Sequence, residues 1–409
     1  MMSTIAARRL MGRGGAVEYP LVTVEDGRIS RIESLTASEH ENVGATHRFP
    51  EATLVPAYLD IHIHGCAGHD VMEATPEALD AIGAYLASRG VGAYFPTTVT
   101  SPRDETMRSL AGLAIEIGRD PEVGHHGATP LGIHLEGPFL SHSKRGVHTG
   151  ALLEAPSIAL FDRFWNAAEG KICLMTIAPE LPGAAELIAH ATALGVRCSM
   201  GHSDAKVCEA EAGFVAGARS ATHTFNAMRL MDHREPGLAA YVLDKRSLFA
   251  EIICDGIHVD PLMVRLYFKA KDKDRIVLVT DGMSATGMPD GTYMLGDMEV
   301  EVRDGRCTSN GTLAGSVLTL DRGVQNLMEF TGASLSTAVA AASCNPSQLM
   351  GVDDDWGSLD VDRKANITVL SSAAEVIQTF LAGRATIAQA EASSLSSAHR
   401  AVPPSSVAQ

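Results

Sequence analysis

From about residue 54 the chain alternates between short apolar runs of strand character and amphipathic stretches of helical period, and few folds accept that grammar. The apolar runs fall at 93–98, 132–136, 171–176, 196–202, 221–224, 249–253 and 276–281. Between them, 76–89, 183–194 and 204–217 place apolar residues at helical spacing over enough length for a helix. About eight such units precede residue 350, which predicts an α/β fold built on a parallel (β/α)8 barrel of the TIM type. An open doubly wound sheet is the runner-up, but no glycine-rich phosphate turn follows the first strand to support it. A chain of 409 residues suits a barrel of roughly 250–300 residues with material appended to it.

The appended material reads as strands. Residues 22–32 alternate around Asp26-Gly27, a strong hairpin signal. A second hairpin, around Asp304-Gly305, interrupts the alternation at 293–313 and reads as an insertion after the last barrel strand. Beyond a helical stretch at 320–350, segments 357–361 and 365–370 are expected to be strands again. The simplest arrangement joins both ends of the chain in one small β-sandwich, formed by residues 1–55 and 351–388. Residues 56–350 then form the barrel, and the Ala- and Ser-rich 389–409 a mobile tail.

A formal charge of −16 argues against nucleic acid and anionic membrane as partners. It does not exclude an anionic small substrate, which needs only a local positive pocket. The cysteines are scattered without a C-x-x-C pair, the N-terminus lacks a long apolar stretch, and no segment approaches the apolar length of a membrane span. The expectation is a cytoplasmic protein.

Chemistry-bearing residues concentrate where barrel enzymes assemble their sites, at the C-terminal ends of the strands. His62 and His64, two apart in an extended run, share a face while Ile61 and Ile63 point away. Glu136, His202, His223 and Asp281 end later strands. One such histidine is ordinarily a core or rim residue; five ligand-capable side chains and a further carboxylate at one mouth point to a metal. The donor set suits a divalent cation of the zinc or iron type with an open position for water. Asp281 is the candidate to take and return a proton, its competing role being a helix N-cap before Gly282.

These residues sit in motifs that resemble the N-acetylglucosamine-6-phosphate deacetylases of the amidohydrolase superfamily. The motifs are His62-Ile63-His64-Gly65, His134-Leu135-Glu136-Gly137-Pro138-Phe139, Gly201-His202-Ser203 and Thr222-His223-Thr224-Phe225-Asn226-Ala227-Met228. Further matches are Arg234-Glu235-Pro236-Gly237, Asp255-Gly256-Ile257-His258, Val279-Thr280-Asp281-Gly282 and Leu313-Ala314-Gly315-Ser316. The resemblance implies that Glu136, His202 and His223 hold the principal metal, and that His62 and His64 form a second site with Glu136 as the bridge. Zinc is the first choice for the metal and iron the alternative. It also implies that Asp281 is the acid/base, and that His148 binds the sugar and donates to the developing oxyanion.

Asn226 and Ala227 through their backbone, with Arg234 and His258, would bind phosphate; Leu313, Ala314 and Gly315 would close over the sugar. Bland readings compete at three points: His148 as a solvated loop residue, Arg234 as a surface arginine, and Leu313–Gly315 as a turn into the helix near Thr319. The implied reaction removes acetate from N-acetylglucosamine 6-phosphate, in a homodimer where Arg234 can serve the neighbouring subunit. The rivals are an amidohydrolase for N-acetylgalactosamine 6-phosphate or another N-acyl substrate, and a non-catalytic metal-binding barrel.

Overall fold

The computed structural model describes residues 2–12, 15–119 and 127–386. Eight parallel strands follow one another around a barrel: β1 (Tyr58–Ile63), β2 (Val91–Thr98), β3 (Ile133–Glu136), β4 (Ile172–Ile177), β5 (Arg197–Met200), β6 (Ser220–Ala221), β7 (Phe249–Ile253) and β8 (Ile276–Val279). Neighbours pair in sequence order from β1 to β8, with the two-residue strand Thr129–Pro130 beside β2. The ring closes where the Asp281 amide donates to the His62 carbonyl (2.9 Å) and the His64 amide to the Gly282 carbonyl (2.8 Å). Closure thus sets the first strand's histidines beside the last strand's carboxylate.

The apolar runs are continuous rather than alternating because both faces of a barrel strand are covered; every residue of β1, β2, β3 and β8 is buried. Tyr58, Tyr94, Ile133 and Leu278 pack in one core with Leu79, Ile82, Leu110, Leu187 and Val264 from the surrounding helices. Two of those helices carry the start signals the sequence shows. Thr75 accepts from the Ala78 amide ahead of Pro76–Ser88, and Asp260 from the Leu262 amide ahead of Pro261–Ala270, each with proline in the first turn.

Strands from both ends of the chain meet in one eight-stranded sheet. Ile367–Leu370 pairs antiparallel with His47–Pro56, which pairs parallel with Met2–Gly12. Ile5, Leu10, Val22, Leu54, Ile367 and Phe380 form its core. The hairpin at Asp26-Gly27 is present, with φ of 49° and 79° at the two turn residues, as a two-residue type I′ loop requires. The strand expected at 357–361 does not form: Gly357 adopts φ 81°, which takes the backbone out of the extended region, although Leu359 is still buried in the sheet's core. The proposed tail, 389–409, lies outside the described residues.

The insertion is a four-stranded antiparallel sheet, Gly291–Leu295, Met298–Arg303, Arg306–Ser309 and Thr312–Leu313, around its own small core of Leu295, Val300, Val302 and Cys307. Its edge supplies Leu295, Thr312 and Leu313 to the barrel mouth. Among the described residues no helix is long and apolar enough to cross a membrane.

Candidate active site

Three of the expected site residues lie past the strand ends rather than on them. His202, His223 and Asp281 each stand two residues beyond β5, β6 and β8, with φ of 48°, 29° and 51°. Left-handed backbone is strained for such residues, and strain of this kind persists only where the surroundings hold it. No helix starts at Asp281, so the N-cap role falls away; the helix Leu320–Thr331 begins instead after Thr319. Gly137 (φ 82°) turns the chain directly after Glu136, where a Cβ would collide with the Thr100 hydroxyl.

Glu136 is the centre of the cluster. Its Oε1 lies 3.3 Å from His202 Nε2, 3.4 Å from His223 Nε2 and 3.5 Å from His62 Nε2, and its Oε2 lies 3.2 Å from His64 Nε2. His202 and His223 face each other at 3.0 Å through Nε2. Asp281 Oδ1 is 3.2 Å from His64 Nε2 and 3.5 Å from His62 Nε2. All six side chains are buried or nearly so.

The rings are oriented from behind. His64 Nδ1 donates to the Thr97 carbonyl (2.9 Å) and His202 Nδ1 to the Lys144 carbonyl (3.0 Å). His62 Nδ1 donates to the Glu251 carboxylate (3.3 Å). Each back-side acceptor holds a proton on Nδ1 and turns Nε2 toward Glu136, the arrangement that outer partners impose on ligating histidines. His62 Nε2 and Glu136 Oε1 are buried and lack hydrogen-bond partners among the described residues.

Zinc–nitrogen bonds of 2.0–2.1 Å in a tetrahedron separate neighbouring ligand atoms by roughly 3.4 Å. The observed 3.0–3.5 Å therefore fits a divalent cation, and His62, His64 and Glu136 form one ligand-capable group of their own.

Electrostatics makes the same demand. Burial alone would lower the His64 pKa, but Asp281 and Glu136 outweigh it and raise it to about 9. His62 moves up for the same reason, against burial, through Glu136 and Asp281. Glu136 and Asp281 are held well below the usual carboxylate range despite burial, His62 being the largest opposing influence on each. His202 goes the other way: burial pulls it down to about 4, so it is neutral and able to ligate at neutral pH. Without a cation the pocket collects protons on its first histidine pair; with one, those protons must leave.

The sequence profile of the amidohydrolase family matches residues 53–386. The chain belongs to the amidohydrolase family.

Among its relatives, N-acetylgalactosamine-6-phosphate deacetylase of Escherichia coli O157:H7 is 37% identical over 385 residues, 94% of this chain and 99% of that one. N-acetylglucosamine-6-phosphate deacetylase of Bacillus subtilis (strain 168) is 36% identical over 374 residues, 91% of this chain and 93% of that one. A solved structure of a mutant N-acetyl-D-glucosamine-6-phosphate deacetylase from Mycobacterium smegmatis, in complex with N-acetyl-D-glucosamine-6-phosphate, superposes with a TM-score of 0.88 at 30% identity. That superposition covers 94% of this chain and 99% of the other.

In this amidohydrolase a cavity of about 400 Å³ opens over the cluster and brings most of the expected substrate residues together. His148 is buried, not a solvated loop residue. Its Nδ1 faces Thr100, 2.8 Å from the hydroxyl and 3.4 Å from the amide that donates to it, an arrangement that favours the ring proton on Nε2, 3.7 Å from Glu136 Oε2. By distance alone it groups with Glu136 and His202 as a ligand; that tautomer suits it better to donate. His258 lines the cavity with Nδ1 donating to Asp255 at 2.7 Å, and Asp255 outweighs burial to raise its pKa.

Asn226 and Ala227 line the cavity too. The Asn226 amide is taken by the His223 carbonyl (3.0 Å), whereas the Ala227 amide has no partner among the described residues. Leu313 and Gly315 line it, but Ala314 between them is packed into the insertion's core. Arg234 is the clear exception: it is exposed on a loop and does not line its own chain's cavity.

Sequence reasoning missed five contributors. Glu251 was legible only as a lone acid in an apolar strand, and Thr97 carried no signal. Lys144 acts through its backbone carbonyl, which orients His202 and which no side-chain signal reveals. Phe225 and Met228 sit inside a recognised motif but line the cavity as apolar walls.

Proposed function

We propose that this amidohydrolase removes the acetyl group of N-acetylglucosamine 6-phosphate, giving glucosamine 6-phosphate and acetate. The observation that carries it is the convergence of Glu136, His202, His223, His62, His64 and Asp281 on one point beneath a cavity that His258, Asn226 and Ala227 also line. Glu136, His202 and His223 would hold one divalent cation, zinc by preference and iron as the alternative. His62 and His64 would hold a second that shares Glu136. A cation there supplies Lewis acidity, which polarises the amide carbonyl and activates water.

The chain's own residues do the rest. His148, its proton on Nε2, donates to the carbonyl oxygen as negative charge develops on it. Asp281, ionised at neutral pH, accepts the attacking water's proton and returns it to the nitrogen as the C–N bond breaks; without that proton the amine leaves too poorly. His258, whose pKa Asp255 raises against burial, and the Ala227 amide receive the phosphate. The reading makes the working unit a cytoplasmic homodimer in which the exposed Arg234 reaches the partner's cavity.

N-acetylgalactosamine 6-phosphate is the second reading, favoured by the 37% identical relative named for it. Acetate release should be measured from both phosphorylated sugars and from N-acetylglucosamine, before and after chelation. Chelation should abolish release, and loss of phosphate should depress kcat/KM strongly. Equal rates with the unphosphorylated sugar would remove the phosphate roles, and a rate unaffected by complete metal removal would end the reading.

A further inference from the structure

Glu251 is a fully buried acid in the middle of β7, and orienting the His62 ring accounts for only part of what it touches. Its carboxylate touches both halves of the centre. Oε2 accepts from His62 Nδ1 at 3.3 Å and from the His223 amide at 3.4 Å, while Oε1 accepts from the Ser220 hydroxyl at 3.5 Å. Its backbone carbonyl accepts from the Thr224 amide at 2.8 Å, so two consecutive amides of the turn that presents His223 are tied to this one residue. That turn holds His223 at φ 29°, a conformation that needs such restraint. Among the described residues no Lys or Arg pairs with Glu251, so His62 is the only titratable side chain within ion-pair distance of this buried carboxylate.

We propose that Glu251 is a positioning residue that couples the two half-sites. It fixes the His62 ring for one and the His223 turn for the other, and through His62 it sets the affinity of the His62/His64 half-site for a divalent cation. A carboxylate behind a ligating imidazole fixes the ring's orientation and raises its basicity, and losing such a partner typically weakens metal binding about 10–100-fold. His64 and His202 are backed by neutral carbonyls, so His62 is the one of these three whose ligand strength rests on a charge. The inference rests on the divalent-metal reading given above.

The test is a titration of the chelator-stripped full chain with Zn2+ by calorimetry and with Co2+ by visible absorption. Wild type should take up two cations per chain. Glu251→Gln, which keeps the shape and removes the charge, should leave the tighter site in place and weaken the other about 10–100-fold. Saturating Zn2+ should restore kcat, a rescue that a merely structural lesion would not show. In a His62→Ala background the Glu251→Gln effect on affinity should vanish.

Two cations bound by wild type with unchanged affinities in Glu251→Gln would overturn this proposal and leave the metal-dependent reading standing. Uptake of no cation by wild type would overturn both. Uptake of only one would remove the coupled half-site. Glu251→Asp, which keeps the charge but withdraws it from both His62 and the His223 amide, should weaken both sites. Failure of both Glu251 variants to fold would assign the residue to the core and overturn the proposal as well.

Discussion

Replacing Asp281 with Asn separates proton transfer from metal binding. Asn matches Asp in size and is among the few residues that tolerate left-handed backbone, so φ 51° at this position should survive the change. The charge does not survive. Asp281 Oδ1 lies 3.2 Å and 3.5 Å from His64 and His62, while Glu136, His202 and His223 approach one another at 3.0–3.4 Å without it. A cation held by that trio should therefore stay bound. Loss of a positioned acid/base costs about 10²–10⁴-fold, or about 3–5 kcal/mol in the barrier. The assay is acetate release from N-acetylglucosamine 6-phosphate, with metal content measured on the same sample. We expect kcat to fall by at least about 10² with the tighter metal retained. A kcat within about tenfold of wild type, at full metal content, would refute the proton-transfer role. Metal lost in parallel with activity would make Asp281 a ligand instead.

Three other outcomes follow from the same geometry. His148→Ala removes the Nε2 donor and should lower kcat by about 10²–10³ with metal content unchanged; a purely KM effect would place His148 in binding alone. In the cation-free protein the raised His64 pKa stabilises the fold fully below its ordinary 6.5, and that contribution is lost as pH rises through about 9. A cation must displace the same proton, so affinity for Zn2+ should climb across this window and level off above it. Calorimetry in buffers of different ionisation enthalpy counts the protons released, and a pH-independent affinity would contradict the reading. Phe380→Ala empties a buried site between His47 and Phe49 in the appended sheet and should cost about 3–5 kcal/mol in denaturant unfolding; a cost below about 1 kcal/mol would show that this core is not cooperative with the fold.

The barrel was legible in the sequence because a strand covered on both faces must be apolar at every position, and such runs alternate with amphipathic helices. The candidate ligands were legible for a related reason. His62, His64 and Glu136 interrupt or end those runs, and a polar side chain at that place in a barrel has only the mouth to face. The failures have physical causes as well. Gly357 broke a segment whose apolar residues suggested a strand, because φ 81° is a property of one residue that a pattern does not weigh. Ala314 sits among cavity residues in the chain but turns into the insertion's core. Arg234 is a different case: it lies on an exposed loop outside its own chain's cavity, so any phosphate role belongs to a neighbouring subunit, as the sequence reading allowed.

By itself, then, the amino-acid order determined the succession of strands and helices, through local periodicity, and the candidate ligand set, through residue chemistry and the motifs that carry it. Only the closed barrel decided which nitrogen of His62, His64 and His202 faces the centre. That choice lies with Thr97, the Lys144 carbonyl and Glu251, groups from other parts of the chain that meet the rings only after the ring of strands is complete. A hydrogen bond between distant residues leaves no periodic trace in a sequence, and here such bonds set the tautomers on which the chemistry depends.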